Sequence, residues 1–98
     1  MATNTKTKPV AVEKEMIPQL RFPKIPIERN AEELKRLKNK LRLATTLGNV
    51  EHAKITILFE DDEGLKKVYT TIWATARDNI VLKSGTIIPI GRIHDIII

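Results

Sequence analysis

The residues with the clearest capacity for chemistry are a histidine and an aspartate, His94 and Asp95, near the end of the chain. A histidine beside a carboxylate can act as a general acid–base pair, provided that a nucleophile lies within reach. The chain offers one other histidine, His52, a single serine, Ser84, and no cysteine. Adjacent residues of a strand also point to opposite faces of a sheet. We therefore expect a protein that is not an enzyme.

A second candidate site is the acidic run of Asp61, Asp62 and Glu63, which Gly64 follows. Calcium loops place their oxygen ligands at alternate positions, and this run lacks that spacing. The run is typical of a solvated hairpin turn in which Gly64 can adopt a positive φ. No metal site and no cofactor is expected.

Two aromatic residues, Tyr69 and Trp73, are four positions apart in a segment rich in β-branched residues, so on one strand they share a face. Exposed rings in this arrangement could stack unpaired nucleic-acid bases. Buried rings would instead pack in the core or against a helix. Because the chain has only four aromatic residues, packing is the favoured interpretation, and base stacking remains the alternative.

The net charge of +5 is unevenly distributed. Residues 30–48 hold five basic and two acidic side chains, whereas residues 49–98 hold six basic and seven acidic ones. An anionic partner is therefore expected at the segment 30–48, and the candidate phosphate contacts there are Lys35, Arg36, Lys38 and Arg42. The alternative is a solvated helix face, because basic residues commonly flank the apolar stripe of a surface helix.

The segment that carries this charge is predicted to be a helix. Asn30 and Glu33 form a capping-box pattern at its start, and Gly48 with Asn49 is predicted to end it. Its apolar positions recur at spacings of three and four, as a single stripe of Leu34, Leu37, Leu41 and Ala44.

The rest of the chain is predicted to be β-structure. An alternating pattern and regular turn signals indicate five strands, at residues 54–60, 67–75, 80–83, 86–90 and 93–98. The fold class is therefore α+β, mainly β: an N-terminal helix followed by a five-stranded, bent antiparallel sheet or small barrel. The isoleucines at 96–98 would make an open edge prone to aggregation, so we expect a closed barrel or pairing with a second chain.

Residues 1–29 are predicted to be an extended, proline-containing tail, and residues 30–98 a single helix-plus-barrel domain. Three prolines within residues 16–27 argue against a helix there. The same segment is too apolar for an idle linker. We expect it to dock on its own domain, to bind a partner or to remain disordered, and the candidate partner-binding side chains are Leu20, Phe22, Ile25 and Ile27.

The order of these elements resembles Sm-like and SH3-like small β-barrels. After the helix come Ile55-x-Ile57, a glycine turn, a long strand, then Asp78-Asn79-Ile80-Val81-Leu82, Ile88-Pro89-Ile90 and Ile93-x-x-Ile96. The pattern, over about residues 30–98, is similar to bacterial Sm-like RNA chaperones and to regulators related to Rho-binding antiterminators. The segment from Thr70 to Pro89 also resembles small uncharacterised bacterial proteins. The resemblance implies RNA binding, with Asp78 and Asn79 near a base site.

The composition bounds the setting and leaves two functions open. With 42% hydrophobic and 30% charged residues and no apolar run near the roughly 20 residues of a membrane span, we expect a cytoplasmic protein without membrane contact. The first hypothesis is a module that binds RNA or single-stranded DNA through its basic helix, aided by Tyr69, Trp73, Asp78 and Asn79. The alternative is a protein-interaction or regulatory module, acting through the tail and a sheet edge on a protein partner or in a homo-oligomer.

Overall fold

The structure, a computed structural model, describes residues 8–98, and the first part of the predicted tail, residues 1–7, lies outside the described range. One long helix precedes nearly all of the β-structure, as predicted for an α+β fold. The elements in chain order are β1 (Val10–Ala11), α1 (Ala31–Glu51), β2 (Ile55–Glu60), β3 (Leu65–Thr70), β4 (Ile72–Thr75), β5 (Asn79–Leu82), β6 (Ile87–Pro89) and β7 (Ile93–Ile97).

The strands form two sheets, where the sequence predicted one sheet of five strands. The first sheet has four strands in the order β1-β3-β2-β7, and the second has three in the order β4-β5-β6. Strand β1 pairs with β3 in parallel, and the other ladders are antiparallel. The added strand β1 is two residues long and comes from the predicted tail.

The long strand predicted over residues 67–75 divides at Thr71, because this residue belongs to neither ladder. Its carbonyl accepts a hydrogen bond from the backbone N–H of Lys83 at 3.1 Å, and its hydroxyl donates to the carbonyl of His52 at 3.4 Å. On one side of this bend β3 pairs with β2, and on the other side β4 pairs with β5. The register of β4 also shifts between Ile72 and Ala74, which places a bulge at Trp73.

The expectation of a closed barrel is wrong. Within residues 8–98 no ladder joins the two sheets, and β7 pairs with β2 alone. The β2–β3 ladder ends before Thr71, and a 3-10 turn at Ile90–Arg92 separates β6 from β7, so these two strands belong to different sheets. Both remain edge strands. Pro89 lies in the edge strand β6. Proline has no backbone N–H to donate, and an edge strand tolerates this because one of its sides has no partner strand.

Helix α1 begins as predicted and ends later than predicted. The Asn30 side chain accepts from the backbone N–H of Glu33 at 2.8 Å, and the Glu33 carboxylate accepts from that of Asn30 at 2.9 Å. The helix continues past Gly48 to Glu51, and His52 caps it in the left-handed conformation at a φ of 54°. Gly48 is buried within the helix, so the prediction that it marks the end is wrong.

Gly48 allows close approach of α1 to β4. A Cβ atom at this position would lie 2.2 Å from the backbone oxygen of Ile72 and 2.9 Å from the methyl carbon of Thr71. The glycine therefore brings the helix against the bend in the chain. The helix residues that fill the space between the sheets are Leu37, Leu41 and Ala44, all at most 4% exposed.

The N-terminal segment packs on the domain. Residues Lys14–Gln19 form a 3-10 helix, where three nearby prolines had predicted an extended path, and Ile17 within it is 1% exposed. Proline lacks an N–H, which a short 3-10 helix can tolerate near its end. Farther along, the Arg92 side chain donates to the carbonyls of Ile25 at 2.6 Å and Glu60 at 3.1 Å, which fastens the segment to the sheet.

The helix–strand contact at Gly48 yields a stability prediction. Gly48→Ala places a methyl group against a backbone carbonyl that cannot rotate away, so we expect a loss of about 1–3 kcal/mol in the free energy of unfolding. This loss should exceed the gain of about 1 kcal/mol in helix propensity that alanine brings. Urea unfolding followed by circular dichroism measures the difference.

The matched control is Asn49→Ala, at the next and exposed position of α1. It also raises helix propensity but meets no backbone, so its stability should stay equal or rise slightly. A Gly48→Ala protein at least as stable as the Asn49→Ala protein would contradict the close contact.

Candidate nucleic-acid interface

A basic groove runs between the outer flank of α1 and the turn that joins β4 to β5. Lys38 and Arg42 lie one helical turn apart on the flank, and Arg77 lies on the turn opposite them. This part of the groove has a volume of about 480 Å³. A hydrogen bond of 2.6 Å between the hydroxyls of Thr45 and Thr75 holds the helix beside the end of β4.

The groove continues past Lys38 toward the N-terminal segment. Lys38, Arg77 and Ile90 line both parts, and Lys24 adds a further positive charge at the far end. The second part has a volume of about 420 Å³, and its apolar floor is made by Phe22, Pro23, Pro26, Leu34, Pro89 and Ile90. We call the two parts together the basic groove.

The charges of the basic groove are available to a ligand. Within residues 8–98, none of the side chains Lys24, Lys38, Arg42 and Arg77 takes part in an ion pair. Arg92 also lines the groove, but it is 9% exposed and its guanidinium is engaged by backbone carbonyls. Asp78 is the single acidic residue of the lining. The groove therefore presents a strong positive potential over an apolar floor.

Asp78 and Asn79 shape the turn that forms one wall of the groove. The Asp78 carbonyl accepts from the backbone N–H of Ile90 at 2.9 Å, and the Asn79 carbonyl accepts from that of Ala76 at 2.8 Å. The Asp78 side chain is exposed and lines the groove, whereas Asn79 is half-buried and begins β5. Lys38, Arg42 and Asp78 are thus the predicted site residues that the fold brings together.

The other predicted helix contacts are divided between two flanks of α1. Lys35 is exposed within one turn of Lys38, so it shares the flank of the basic groove. Arg36 lies about 200° around the helix from Lys38, in a separate cleft. Acidic and basic side chains are equal in number in that cleft, which is lined by Glu28, Glu33 and Asp95 and by Arg29, Arg36 and Lys40.

The two candidate aromatic residues lie outside the basic groove and outside the core. Tyr69 is 67% exposed on β3, and Trp73 is 46% exposed at the bulge of β4. The favoured interpretation, that these two side chains pack in the core or against the helix, is therefore wrong. The residues that face inward are the alternate ones, Val68, Thr70 and Ile72, each at most 4% exposed.

The tail residues proposed for partner binding differ in how far the fold buries them. Leu20 and Phe22 pack against the core, and the Phe22 ring lies 5.9 Å from that of Phe59. Ile27 is half-buried, and its backbone N–H donates to the Gly91 carbonyl at 2.8 Å. Ile25 is 75% exposed and is the one of the four whose side chain stays accessible.

His94 and Asp95 have separate partners. The His94 ring lies 2.7 Å from the carboxylate of Glu60, while Asp95 accepts from the ammonium of Lys40 at 2.8 Å and from the Ile96 N–H. Burial raises the pKa of Asp95, but the hydrogen bonds from Lys40 and Ile96 outweigh it, so the pKa lies below its usual range. The two side chains do not form an acid–base pair with each other.

Asp61 organises the turn between β2 and β3. Its carboxylate is 2% exposed, accepts two hydrogen bonds of 2.9 Å from the Lys66 ammonium, and also accepts from the backbone N–H groups of Glu63 and Gly64. Burial raises the pKa of Asp61, but these bonds outweigh it and hold the pKa below its ordinary 3.8. The carboxylate is therefore occupied by the fold, as in a structural turn.

Lys24 and Arg77 were not among the predicted site residues, and they come from segments distant from the helix. Only the packing of the proline segment and of the β4–β5 turn against α1 brings them near Lys38. The sequence does contain one signal for Arg77. This basic residue directly precedes Asp78, a candidate base contact, in a predicted turn, so it could have been included among the candidate phosphate contacts.

No protein-family model, curated protein or solved structure matches this chain. In the part that the structure describes, no helix is long and apolar enough to cross a membrane. Likewise, residues 8–98 contain no group of three or more histidine or acidic side chains that could hold a metal ion.

The turn at Asp61 gives a pH prediction. Its pKa is lower in the folded than in the unfolded chain, so its stabilisation is complete above about pH 4 and is lost as the pH falls through the folded-state pKa. At neutral pH, Asp61→Asn leaves the Lys66 ammonium without its buried partner, and we expect a loss of about 3–5 kcal/mol. Urea unfolding at a series of pH values measures both effects.

The matched control is Asp62→Asn, an exposed neighbour that carries the same charge. It should unfold like the wild type at every pH, whereas the Asp61→Asn protein should lose less stability than the wild type on acidification. Equal acid sensitivity of the Asp61→Asn and wild-type proteins would refute the role given to this carboxylate.

Proposed function

We propose that this protein is a non-enzymatic module that binds RNA or single-stranded DNA, with the sugar-phosphate backbone lying in the basic groove. The observation that carries the proposal is the convergence of Lys24, Lys38, Arg42 and Arg77 around one groove, where none of them forms an ion pair with another described residue. These residues come from three separate parts of the chain. A solvated helix face would explain the helix residues alone and would not need Lys24 or Arg77.

The shape and lining of the groove suit a flexible strand. Long basic side chains on both walls can reach successive phosphates, and the apolar floor can receive sugars or bases. Asp78 on the wall can accept a hydrogen bond from an exocyclic amino group, which gives the one acid a part in base recognition.

We also propose that the domain is related to Sm-like or SH3-like small barrels, although its ladders leave it open. Support comes from a strand that bends at Thr71 and feeds both sheets, and from the 3-10 turn at Ile90–Arg92 before the last strand. That last strand then pairs with β2, the first strand after the helix. This relation favours nucleic-acid binding by analogy alone.

Binding in the basic groove should depend on salt through counterion release. For single strands the slope of log affinity against log salt concentration is about −0.7 per phosphate neutralised. Lys38→Gln combined with Arg42→Gln should therefore weaken binding and make that slope shallower by about 1.4. Fluorescence anisotropy with a labelled oligouridine strand at several salt concentrations measures both quantities.

The matched control combines Arg21→Gln with Arg36→Gln, which removes the same charge outside the basic groove. Arg21 lies beside Asp61, Asp62 and Glu63, and Arg36 lies in the cleft on the other flank of α1, where acidic and basic residues are equal in number. The control should retain most of the affinity and slope. An affinity insensitive to salt, or equal slopes for the two double variants, would contradict binding in the basic groove.

A homo-oligomeric interaction module is the second candidate, because α1 has an apolar stripe on its outward side. Leu43 is 52% exposed and Val50 is 72% exposed, and half-buried Leu47 lies between them at helical spacing. A second copy of the chain could cover this stripe, since a self-complementary apolar face favours a symmetric dimer. This role now rests on α1 more than on the tail.

Sedimentation velocity over a range of concentrations tests this candidate. The wild type should form dimers, and Leu43→Gln combined with Val50→Gln should yield monomers, because both changes place polar groups in the interface. Met16→Gln combined with Ile25→Gln, at exposed apolar positions of the N-terminal segment, is the matched control. A wild type that stays monomeric at every concentration rules the dimer out.

A further inference from the structure

A second basic surface surrounds Tyr69 on the outer face of the first sheet. Tyr69 stands opposite Thr56 in the β2–β3 ladder, and Lys67 lies two residues before it on the same face. Lys54, at the approach to β2, and Lys83, after β5, line the same depression. Its volume is about 520 Å³. We call this surface the Tyr69 groove.

Three of the four lysines that line the Tyr69 groove are available to bind an anion. Among the described residues, Lys54, Lys67 and Lys83 are exposed and none of them is in an ion pair. Lys14, which also lines the groove, pairs with Glu15 at 2.9 Å, and Glu13 is the acidic residue of the lining. The net charge of the groove is therefore positive around an aromatic ring.

The exposure of Tyr69 has no explanation in the packing of the domain. The core uses Phe22 and Phe59, whose rings contact each other, while Tyr69 remains 67% exposed. The ring lines one depression together with Lys54, Lys67 and Lys83. An aromatic platform among cations is the arrangement by which proteins hold single strands, because a base stacks on the ring while phosphates meet the ammonium groups.

The Tyr69 groove and the basic groove lie at opposite ends of β4. Thr71, directly before β4, and Lys83, whose N–H donates to the Thr71 carbonyl, both line the Tyr69 groove. Thr75, the last residue of β4, lines the basic groove. A strand of four residues spans about 10–13 Å, so one short oligonucleotide can reach both grooves. Half-exposed Trp73 lies between these ends.

We propose that the Tyr69 groove is a second contact for the strand held in the basic groove: it stacks one unpaired base on Tyr69 and neutralises phosphates with Lys54, Lys67 and Lys83. This inference rests on the proposed function and deepens it, because a base inside a duplex cannot stack on the ring. The ligand is therefore a single strand long enough to occupy both grooves.

The test measures anisotropy for the full chain with a labelled oligouridine strand of about 12 nucleotides, a length within the range that small single-strand-binding domains cover. Tyr69→Ala should weaken binding by about 5- to 150-fold, whereas Tyr69→Phe keeps the stacking face and should stay within about twofold. Neither change removes a charge, so the salt slope should remain that of the wild type. Thermal unfolding verifies that both variants fold.

Two further arms separate stacking from simple charge attraction. A duplex of the same length should bind the Tyr69→Ala and wild-type proteins equally, because its bases are already stacked. A dinucleotide should gain less from Tyr69 than the longer strand, since its single phosphodiester link cannot span the distance of about 10–13 Å between the grooves. The fluorescence of Trp73, the single tryptophan, should change only with the longer strand.

The outcomes distinguish the two proposals. If Lys38→Gln with Arg42→Gln weakens binding while Tyr69→Ala does not, the Tyr69 groove is refuted and the basic groove stands. If Tyr69→Ala weakens binding while the helix variant does not, the basic groove is refuted as the strand site, and so is a strand shared by both grooves. If neither change matters, both proposals fail. Uridine monophosphate binding as tightly as the longer strand would refute a strand ligand.

Discussion

The close contact of α1 with the bend at Thr71 is the constraint on which the rest of the structure depends. Gly48 leaves room for the backbone oxygen of Ile72, and the Thr71 hydroxyl donates to the carbonyl just beyond the end of the helix. Thr45 then meets Thr75 at the other end of β4. With the helix fixed along this strand, the flank that carries Lys38 and Arg42 must face the β4–β5 turn, and the basic groove follows from that placement.

The sequence predicted local features well where one short pattern decides them. The capping box at Asn30 and Glu33 depends only on residues three apart, and it forms as expected. Gly48 was misinterpreted because a glycine that ends a helix and a glycine that admits a neighbouring backbone look alike in sequence. The division of the long strand at Thr71 was missed for a similar reason. Its β-branched residues favour strand throughout, and only the helix packed against it shows where the ladder changes.

The candidate site could be predicted only in part, because segment charge is a poor guide to surface charge. Residues 49–98 are nearly neutral in sum, yet four of their seven acidic residues lie together at positions 60–63, while Lys54, Lys67 and Lys83 line one groove. The alternation of the strands would have put Lys67 and Tyr69 on one face. Lys83 is brought near them by the hydrogen bond from its backbone N–H to the Thr71 carbonyl, and no periodicity in the sequence predicts this bond.

The separation of charges engaged in the fold from charges exposed in the grooves bears on what the protein binds. The buried pair of Asp61 and Lys66 and the engaged guanidinium of Arg92 hold the fold together, so these charges are withdrawn from any ligand. Among the described residues, the basic side chains of the two grooves at either end of β4, other than Lys14 and Arg92, take part in no ion pair. Surface cations that merely confer solubility need no particular arrangement. A polyanion, in contrast, requires basic side chains placed one after another along the path of its phosphates. The arrangement along β4, with Trp73 between the grooves, provides such a path for a single strand and offers no comparable advantage to a compact anion.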